Sequence, residues 1–596
     1  MPRRMRLRLL ISLAASLGVL LSGAVPPGHA SAEERVSVVV PGAAGASGSD
    51  SPITRAYDAL GGSAGRLGAA TSGERCGLRG GGCYRTFVGG SIYWTAGTGA
   101  HAVSGAVLGR WAAQGWEGGP LGYPVTGTEC GLVDGGCYQH FQGGTVMSSP
   151  ATGAWAVAGV LRDGWFRTGS EGGLLGYPTG APVCGLPGGG CLQRFVKGTL
   201  YSSPATGARA VLSPASDAWA RQGWERGALG YPVTDTVCGL RDGGCYQHFQ
   251  GGTVMYSRTG GSWALSGALR DAWFRSGSEG GALGYPTSAP VCGLRAGGCF
   301  QRFQTGAVYW SPASGARAVT GPAGEGWARQ GWEQGALGYP VTDTTCGLVD
   351  GGCYQHFQGG SVVYRPGTGA WAVSGAVRDR WFASGSERGS LGYPTSAATC
   401  GLRAGGCFQH FQAGSIYSSP VTGAHSVTGA MRAEWARRGW ENSYRLGYPL
   451  TDGACGLIGG GCHQVFEAGS LYQVPDGRIH LVPAGIRDRW AASGWERGPL
   501  GYPVSDPYCG LLADGCTQEF ASGDRIAWSQ ETRGWVLDPQ VWRVWQDYGA
   551  QDGLGYPTAD STLVEPNLVY ARFVNGSAYV GCRDPQQPCS VQVSYR

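Results

Sequence analysis

The chain predicts a repeat protein, mainly β with short helices, made of ten units of ~54 residues in a propeller-like or solenoid array. Two observations carry that expectation. A loop of the form C-G-L-x-x-G-G-C, complete from Cys130 to Cys137, recurs with its first cysteine at Cys76, Cys130, Cys184, Cys238, Cys292, Cys346, Cys400, Cys455 and Cys509, a period of 54 residues with one slip to 55. In the same phase a Leu-Gly-Tyr-Pro tetrapeptide starts at Leu121, Leu175, Leu229, Leu283, Leu337, Leu391, Leu446, Leu500 and Leu554. A fixed period of this size means one supersecondary unit stacked many times, each burying a face that its neighbour covers.

The elements follow in order. Residues 1–30 read as a secretory signal: Arg3, Arg4, Arg6 and Arg8 precede an apolar run from Leu9 to Leu21, too short to span a bilayer, and small residues follow. Residues 31–52, rich in Gly, Ala and Ser, read as a flexible leader. Residues 53–105 form repeat 1, residues 106–537 repeats 2 to 9, and residues 538–596 repeat 10. The first and last are irregular, as capping units should be: repeat 1 has Leu67-Gly68-Ala69-Ala70 for the tetrapeptide, and repeat 10 moves its cysteines to Cys582 and Cys589.

Within the unit from Ala106 to Val157, Val107 and Trp111 stand four apart, which puts both on one face of a short helix ending near Gly115. Leu121 to Pro124 is a turn, because Pro ends any helix and Gly permits the bend. The Cys130 to Cys137 loop follows. Tyr138 to Phe141 and Thr145 to Met147 read as two strands around the Gly143-Gly144 hairpin, and Trp155 to Val157 as a third.

Composition narrows the function. The formal charge of +5 owes four units to the arginines of the signal, so the mature chain is close to neutral and nucleic acid is not an expected partner. No second apolar stretch reaches membrane length, so no membrane insertion is expected after signal cleavage, and the mature chain is expected to be a secreted monomer, extracellular or wall-associated. Glycine, 110 of 596 residues against a usual share of about 7%, is periodic and so marks turns, not a linker.

Twenty cysteines form ten pairs with one spacing: Cys76 with Cys83, Cys130 with Cys137, Cys184 with Cys191, Cys238 with Cys245, Cys292 with Cys299, Cys346 with Cys353, Cys400 with Cys407, Cys455 with Cys462, Cys509 with Cys516, and Cys582 with Cys589. In an exported chain these are expected to be disulfides. Closing a loop of this length restricts the unfolded chain by roughly 2.5 kcal/mol. Zinc is the rival, since His140, His248, His356 and His410 follow their cysteines closely; but the same slot is Arg194, Arg302, Val465 or Glu519 elsewhere, and a structural zinc needs four ligands every time. No metal or cofactor is expected.

The tetrapeptide, with its Gln-x-Phe hairpin and Gly-Ala-x-x-Val strand downstream, resembles the LGFP repeat of actinobacterial envelope proteins, with Tyr in place of the family's Phe throughout. The resemblance covers Ile53 to the C-terminus. It implies a non-catalytic module of the kind appended to corynebacterial mycoloyltransferases and peptidoglycan amidases and thought to hold a protein to the cell wall, here without a catalytic domain and with the bridged loop as an addition. Domains of about five repeats in that family also permit two five-repeat lobes. The partner it implies is cell-wall glycan of the peptidoglycan or arabinogalactan type.

After the helix Trp, repeats carry either Ala then Trp four residues on, as Ala112 and Trp116, or Phe then Ser, as Phe166 and Ser170. Trp224, Trp332, Trp440 and Trp495 repeat the first form, Phe274/Ser278 and Phe382/Ser386 the second. One reading is volume-conserving packing, a single large aromatic filling one space from either side. The other is a sugar-stacking platform formed by Trp116, Trp224, Trp332, Trp440 and Trp495. A Glu follows in eight repeats, from Glu117 to Glu496, without the recurrent second carboxylate that glycoside hydrolysis needs, and is expected to accept hydrogen bonds from the glycine-rich turn or to pair with Arg. The His of Gln139-His140-Phe141 is expected on the opposite strand face from its neighbours. Gly61 to Gly65 matches the G-x-S-x-G nucleophile elbow but lacks the buried strand before it. No catalytic residue is expected. The rival functions are a wall-polymer hydrolase or transferase, which needs one repeat with unique chemistry, and a protein-binding adhesin.

Overall fold

The computed structural model describes residues 50–582 and 589–596, so the signal segment and most of the leader lie outside the described residues. Ten antiparallel meanders of four strands succeed one another, each preceded by a short helix. In repeat 1, helix α1 (Pro52–Ala59) leads into β1 (Arg75–Leu78), β2 (Gly82–Phe87), β3 (Gly90–Thr95) and β4 (Gly99–Ser104). In repeat 2, α2 (Gly105–Ala113) leads into β5 (Glu129–Cys130), β6 (Cys137–Phe141), β7 (Gly144–Ser149) and β8 (Gly153–Val157). The pattern holds through repeat 10, each sheet pairing only its own four strands.

The unit therefore has one strand more than the three expected. The extra strand is β5, only two residues long and without the alternation that marks a strand in sequence. It brings Cys130 opposite Cys137 in register, so the bridged loop is itself a hairpin. All ten cysteine pairs are bridged within their own repeat.

The core lies between repeats. One cluster joins Tyr93 and Val103 of the first sheet, Val107 and Trp111 of α2, Leu121 and Tyr123 of the tetrapeptide, and Phe141, Val146 and Ala156 of the second sheet. The helix thus fills the gap between consecutive sheets, and neither repeat owns the core that stabilises it. Trp111 is fully buried, and so is its counterpart in each repeat through Trp545. Each of these indoles donates from Nε1 to the carbonyl of the tetrapeptide glycine, as Trp111 to Gly122 at 3.0 Å, which satisfies the one polar group a buried Trp carries.

A second contact crosses the junction. Gln139, completely buried, donates from Nε2 to Ala102 O of the preceding repeat at 3.0 Å and to Thr126 O at 2.7 Å. The equivalent glutamines, from Gln193 to Gln518, repeat both bonds. A buried amide pairing with backbone on both sides of a junction fixes the stacking register.

Candidate functional site

In repeats 1 to 9 the helix is followed by a glycine in the left-handed region, Gly115 at φ 91° in repeat 2, and the next residue opens a single 3-10 turn, also at positive φ. That residue is Trp116 in repeat 2 and Ser170 in repeat 3. The sharp reversal carries it out of the helix face and over the sheet of the preceding repeat. The two forms therefore make two kinds of junction.

In the first kind, Trp116 lies over Tyr93 of the preceding repeat, with ring centroids 6.2 Å apart, and meets Trp111 edge-on at 5.5 Å. Trp224 on Tyr201, Trp332 on Tyr309, Trp440 on Tyr417 and Trp495 on Tyr472 repeat the arrangement. Trp116, Trp224, Trp332 and Trp495 keep 38–41% of their surface exposed, while Trp440 is partly buried beneath Arg432.

The second kind, at junctions 2/3, 4/5 and 6/7, has Met147, Met255 or Val363 where the first has the supporting Tyr. Phe166 stands beside His140 with ring centroids 6.3 Å apart, Phe274 beside His248 at 6.5 Å and Phe382 beside His356 at 6.1 Å. These phenylalanines are 40–41% exposed. The one-space packing reading is therefore corrected: Trp rests on the preceding sheet over a tyrosine, Phe rests beside a histidine, and both remain half-exposed. The space that Trp332 occupies at junction 5/6 is open at junction 6/7, where a pocket of about 200 Å³ is lined by Leu348, Tyr354, His356, Ser361, Val363, Trp381, Phe382, Ser386 and Glu387.

Alternation puts His140 on the face opposite Gln139 and Phe141, as expected, but that face looks onto the next repeat and not onto solvent. His140 Nδ1 meets Thr145 Oγ1 at 2.8 Å, His248 meets Thr253 at 2.9 Å and His356 meets Ser361 at 2.7 Å. Burial first, then the nearby Arg162, Arg270 or Arg378, holds the pKa of these three histidines below the ordinary value.

The recurrent glutamates sit under the same turn. Glu225, Glu387 and Glu496 have side chains 7–10% exposed, with Arg226, Arg388 and Arg497 at 3.9, 3.5 and 3.8 Å. Glu333 and Glu441 accept from Gln334 and Asn442. The expected bonds from the glycine-rich turn are not made among the described residues; the carboxylates lie instead near tyrosines, and burial followed by Glu225 pushes Tyr201 up to about 12. Ser63 of the elbow-like segment lies in the turn that ends α1, exposed and with no strand before it.

Wider clefts also recur. About 470 Å³ lies between the bridged loop at Arg79 and the tetrapeptide turn of repeat 2, and about 460 Å³ at the equivalent place between Arg295 and Tyr339. Both lie at Trp-type junctions.

These features define a tandem array of disulfide-bridged meander units whose surface chemistry is set at the junctions. The LGFP repeat profile matches residues 67–119, 121–173, 175–227, 229–281, 283–335, 337–389, 391–443, 446–498 and 500–553, and the chain belongs to the LGFP repeat family. No curated protein matches the chain. Among solved structures, the chain has some likeness to the extracellular domain of the hybrid two-component system BT4673 from B. thetaiotaomicron, at 7% identity and TM-score 0.11, with 86% of this chain and 64% of that one covered. PorZ, a surface component of the type-IX secretion system of Porphyromonas gingivalis, gives 9% identity and TM-score 0.12, over 88% of this chain and 63% of that one. The chain thus spans less than two thirds of either.

The Trp and Phe/Ser alternation was visible in sequence; its partners were not. Trp pairs with a Tyr 23 residues earlier, and Phe with a His 26 residues earlier, in a different repeat. Comparing repeats two apart, at a spacing of 108 residues, reveals both pairings.

Proposed function

We propose that this protein is a secreted, non-catalytic component of the cell envelope that binds or anchors to wall glycan through many equivalent weak sites. The observation that carries the reading is repetition of one surface chemistry, a half-exposed aromatic beside a largely buried glutamate, at junction after junction. An active site needs different groups converging once, whereas every constellation described above recurs. Weak sites repeated along one chain suit a polymer, because each contact after the first is intramolecular. Ten disulfides suit an oxidising compartment outside the cytoplasm, and among the described residues no helix is long and apolar enough to cross a membrane.

The test is co-sedimentation of the oxidised mature chain with insoluble peptidoglycan carrying its attached neutral polysaccharide, and with the same material after mild acid has stripped that polysaccharide. Retention by the intact material without release of soluble sugar is expected. Turnover abolished by mutating a single repeat would establish the enzymatic alternative.

A further inference from the structure

The three Phe/Ser junctions share one lining. Going from junction 6/7 back by 108 and then 216 residues, His356 becomes His248 and His140, Phe382 becomes Phe274 and Phe166, and Glu387 becomes Glu279 and Glu171, with Thr253 and Thr145 for Ser361 and Met255 and Met147 for Val363 as the two changes. The ring geometry repeats with the lining, within 0.4 Å across the three His and Phe pairs, which measure 6.3, 6.5 and 6.1 Å.

Each wall has a distinct chemistry. The exposed Phe382 ring offers a flat apolar face at the rim. His356 spends Nδ1 on Ser361, and Nε2 has no hydrogen-bond partner among the described residues. Glu387 is nine-tenths buried with only the outlying Arg388 beside it, and Glu171 and Glu279 accept no hydrogen bond among the described residues. Such a carboxylate is a strong acceptor held ready for a hydroxyl donor. Charge is balanced at junction 6/7, where Arg378 pairs with Asp379 at 3.1 Å and Glu387 faces Arg388; at the other two junctions Gly280 and Gly172 stand in the place of Arg388, and Glu279 and Glu171 have no arginine partner among the described residues. An anionic ligand therefore gains nothing at any of the three. At about 200 Å³ the pocket is smaller than the roughly 300–1,000 Å³ clefts that enclose drug-sized molecules, so it takes one ring and leaves the rest of a chain outside.

We propose that junctions 2/3, 4/5 and 6/7 are saccharide sites, each taking a single neutral sugar ring of a polymer with its C–H face on Phe166, Phe274 or Phe382 and its hydroxyls on the adjacent Glu carboxylate and His Nε2. The proposal rests on the glycan-binding reading above. It assigns binding to the repeats that lack the turn Trp, and leaves the Trp-type junctions as closed versions of the same place, with the Trp ring filling the space over its Tyr.

The array itself supplies the test. Val363→Tyr, Phe382→Ala and Ser386→Trp together copy junction 5/6 into junction 6/7, and Met255→Tyr, Phe274→Ala, Ser278→Trp with Met147→Tyr, Phe166→Ala, Ser170→Trp do the same at the others. A second variant, Glu171→Gln, Glu279→Gln and Glu387→Gln, removes the charge and keeps the shape. Both are compared with wild type by co-sedimentation on insoluble peptidoglycan carrying its neutral polysaccharide, with thermal unfolding alongside. The junction transplant is expected to lower retention at least tenfold and the glutamine variant several-fold, with folding kept. Because the transplant raises the number of turn tryptophans from five to eight, a Trp platform demands the opposite result. Unchanged or increased retention by the transplant overturns the pocket assignment while leaving glycan binding intact; a wild-type chain that is not retained overturns both. If the transplant does not fold, the glutamine variant decides alone, and wild-type retention by it overturns the assignment.

Discussion

The Tyr123 hydroxyl donates to the Arg79 carbonyl oxygen at 2.6 Å, across the junction between repeats 1 and 2. Tyr177 reaches Val133, Tyr231 Pro187, Tyr285 Arg241, Tyr339 Arg295, Tyr393 Val349, Tyr448 Arg403, Tyr502 Ile458 and Tyr556 Leu512 in the same way. Every acceptor is the residue after Cys-Gly-Leu in the bridged loop of the preceding repeat. The tetrapeptide tyrosine and the bridged loop are therefore one device: the loop presents a carbonyl, and the next tetrapeptide supplies the hydroxyl.

Removing that hydroxyl should loosen the contact. Tyr339→Phe is expected to cost about 1 kcal/mol, the net value of one hydrogen bond, and to speed amide exchange in the Cys292 to Cys299 loop but not in the Cys400 to Cys407 loop. Denaturant unfolding and hydrogen exchange check this, and equal protection in both loops would contradict it.

The same approach explains the last glycine before the second cysteine. A Cβ on Gly298 would lie 2.1 Å from Tyr339 Oη and 2.6 Å from its Cζ. Gly298→Ala is expected to destabilise by roughly 1–3 kcal/mol through overpacking. Adding Tyr339→Phe should recover only part of the loss, because Cζ remains in the way. Thermal unfolding of the single and double variants measures the recovery.

A core shared across a junction should fail on both sides at once. Trp273 is 1% exposed and packs with Met255 and Leu265 of repeat 4 and with Phe303 and Val308 of repeat 5. Trp273→Ala is expected to cost about 3–5 kcal/mol. Exchange protection should fall in both of those sheets and persist in repeat 8. Loss confined to repeat 5 would mean that each repeat is stable by itself.

Acid should weaken the three histidine junctions. His140, His248 and His356 titrate below the ordinary histidine value when folded, so the unfolded chain binds more protons in that window and stability rises with pH there. The contribution is complete above the unfolded value and is lost as pH falls through the folded one. Melting temperature is expected to drop on acidification from pH 7 towards 5.5, and His140→Gln, His248→Gln and His356→Gln together should reduce that slope, with His410 and His463, also lowered by burial, carrying a remainder. An unchanged slope would show that other groups carry it.

Local signals were legible and distant ones were not. The four-residue spacing of Val107 and Trp111 placed α2 because a helix brings such pairs onto one face. The cysteine spacing disclosed the bridges, but not the strand at Glu129 and Cys130, which exists through its pairing with Cys137 and has no pattern of its own. Tyr123 reads as part of a turn, yet its hydroxyl is spent 44 residues upstream, and nothing local marks that reach. The alternation of Trp116 with Phe166 showed compensation but misplaced it, since the support for each ring, Tyr93 or His140, belongs to another repeat.

Stoichiometry tests the repeated-site claim most directly. The oxidised mature chain is titrated calorimetrically with neutral oligosaccharides released by mild acid from the wall polysaccharide. Three equivalent sites per chain are expected, falling to two when Val363→Tyr, Phe382→Ala and Ser386→Trp close junction 6/7 alone. A single site, or a count unaffected by closing that junction, would contradict it.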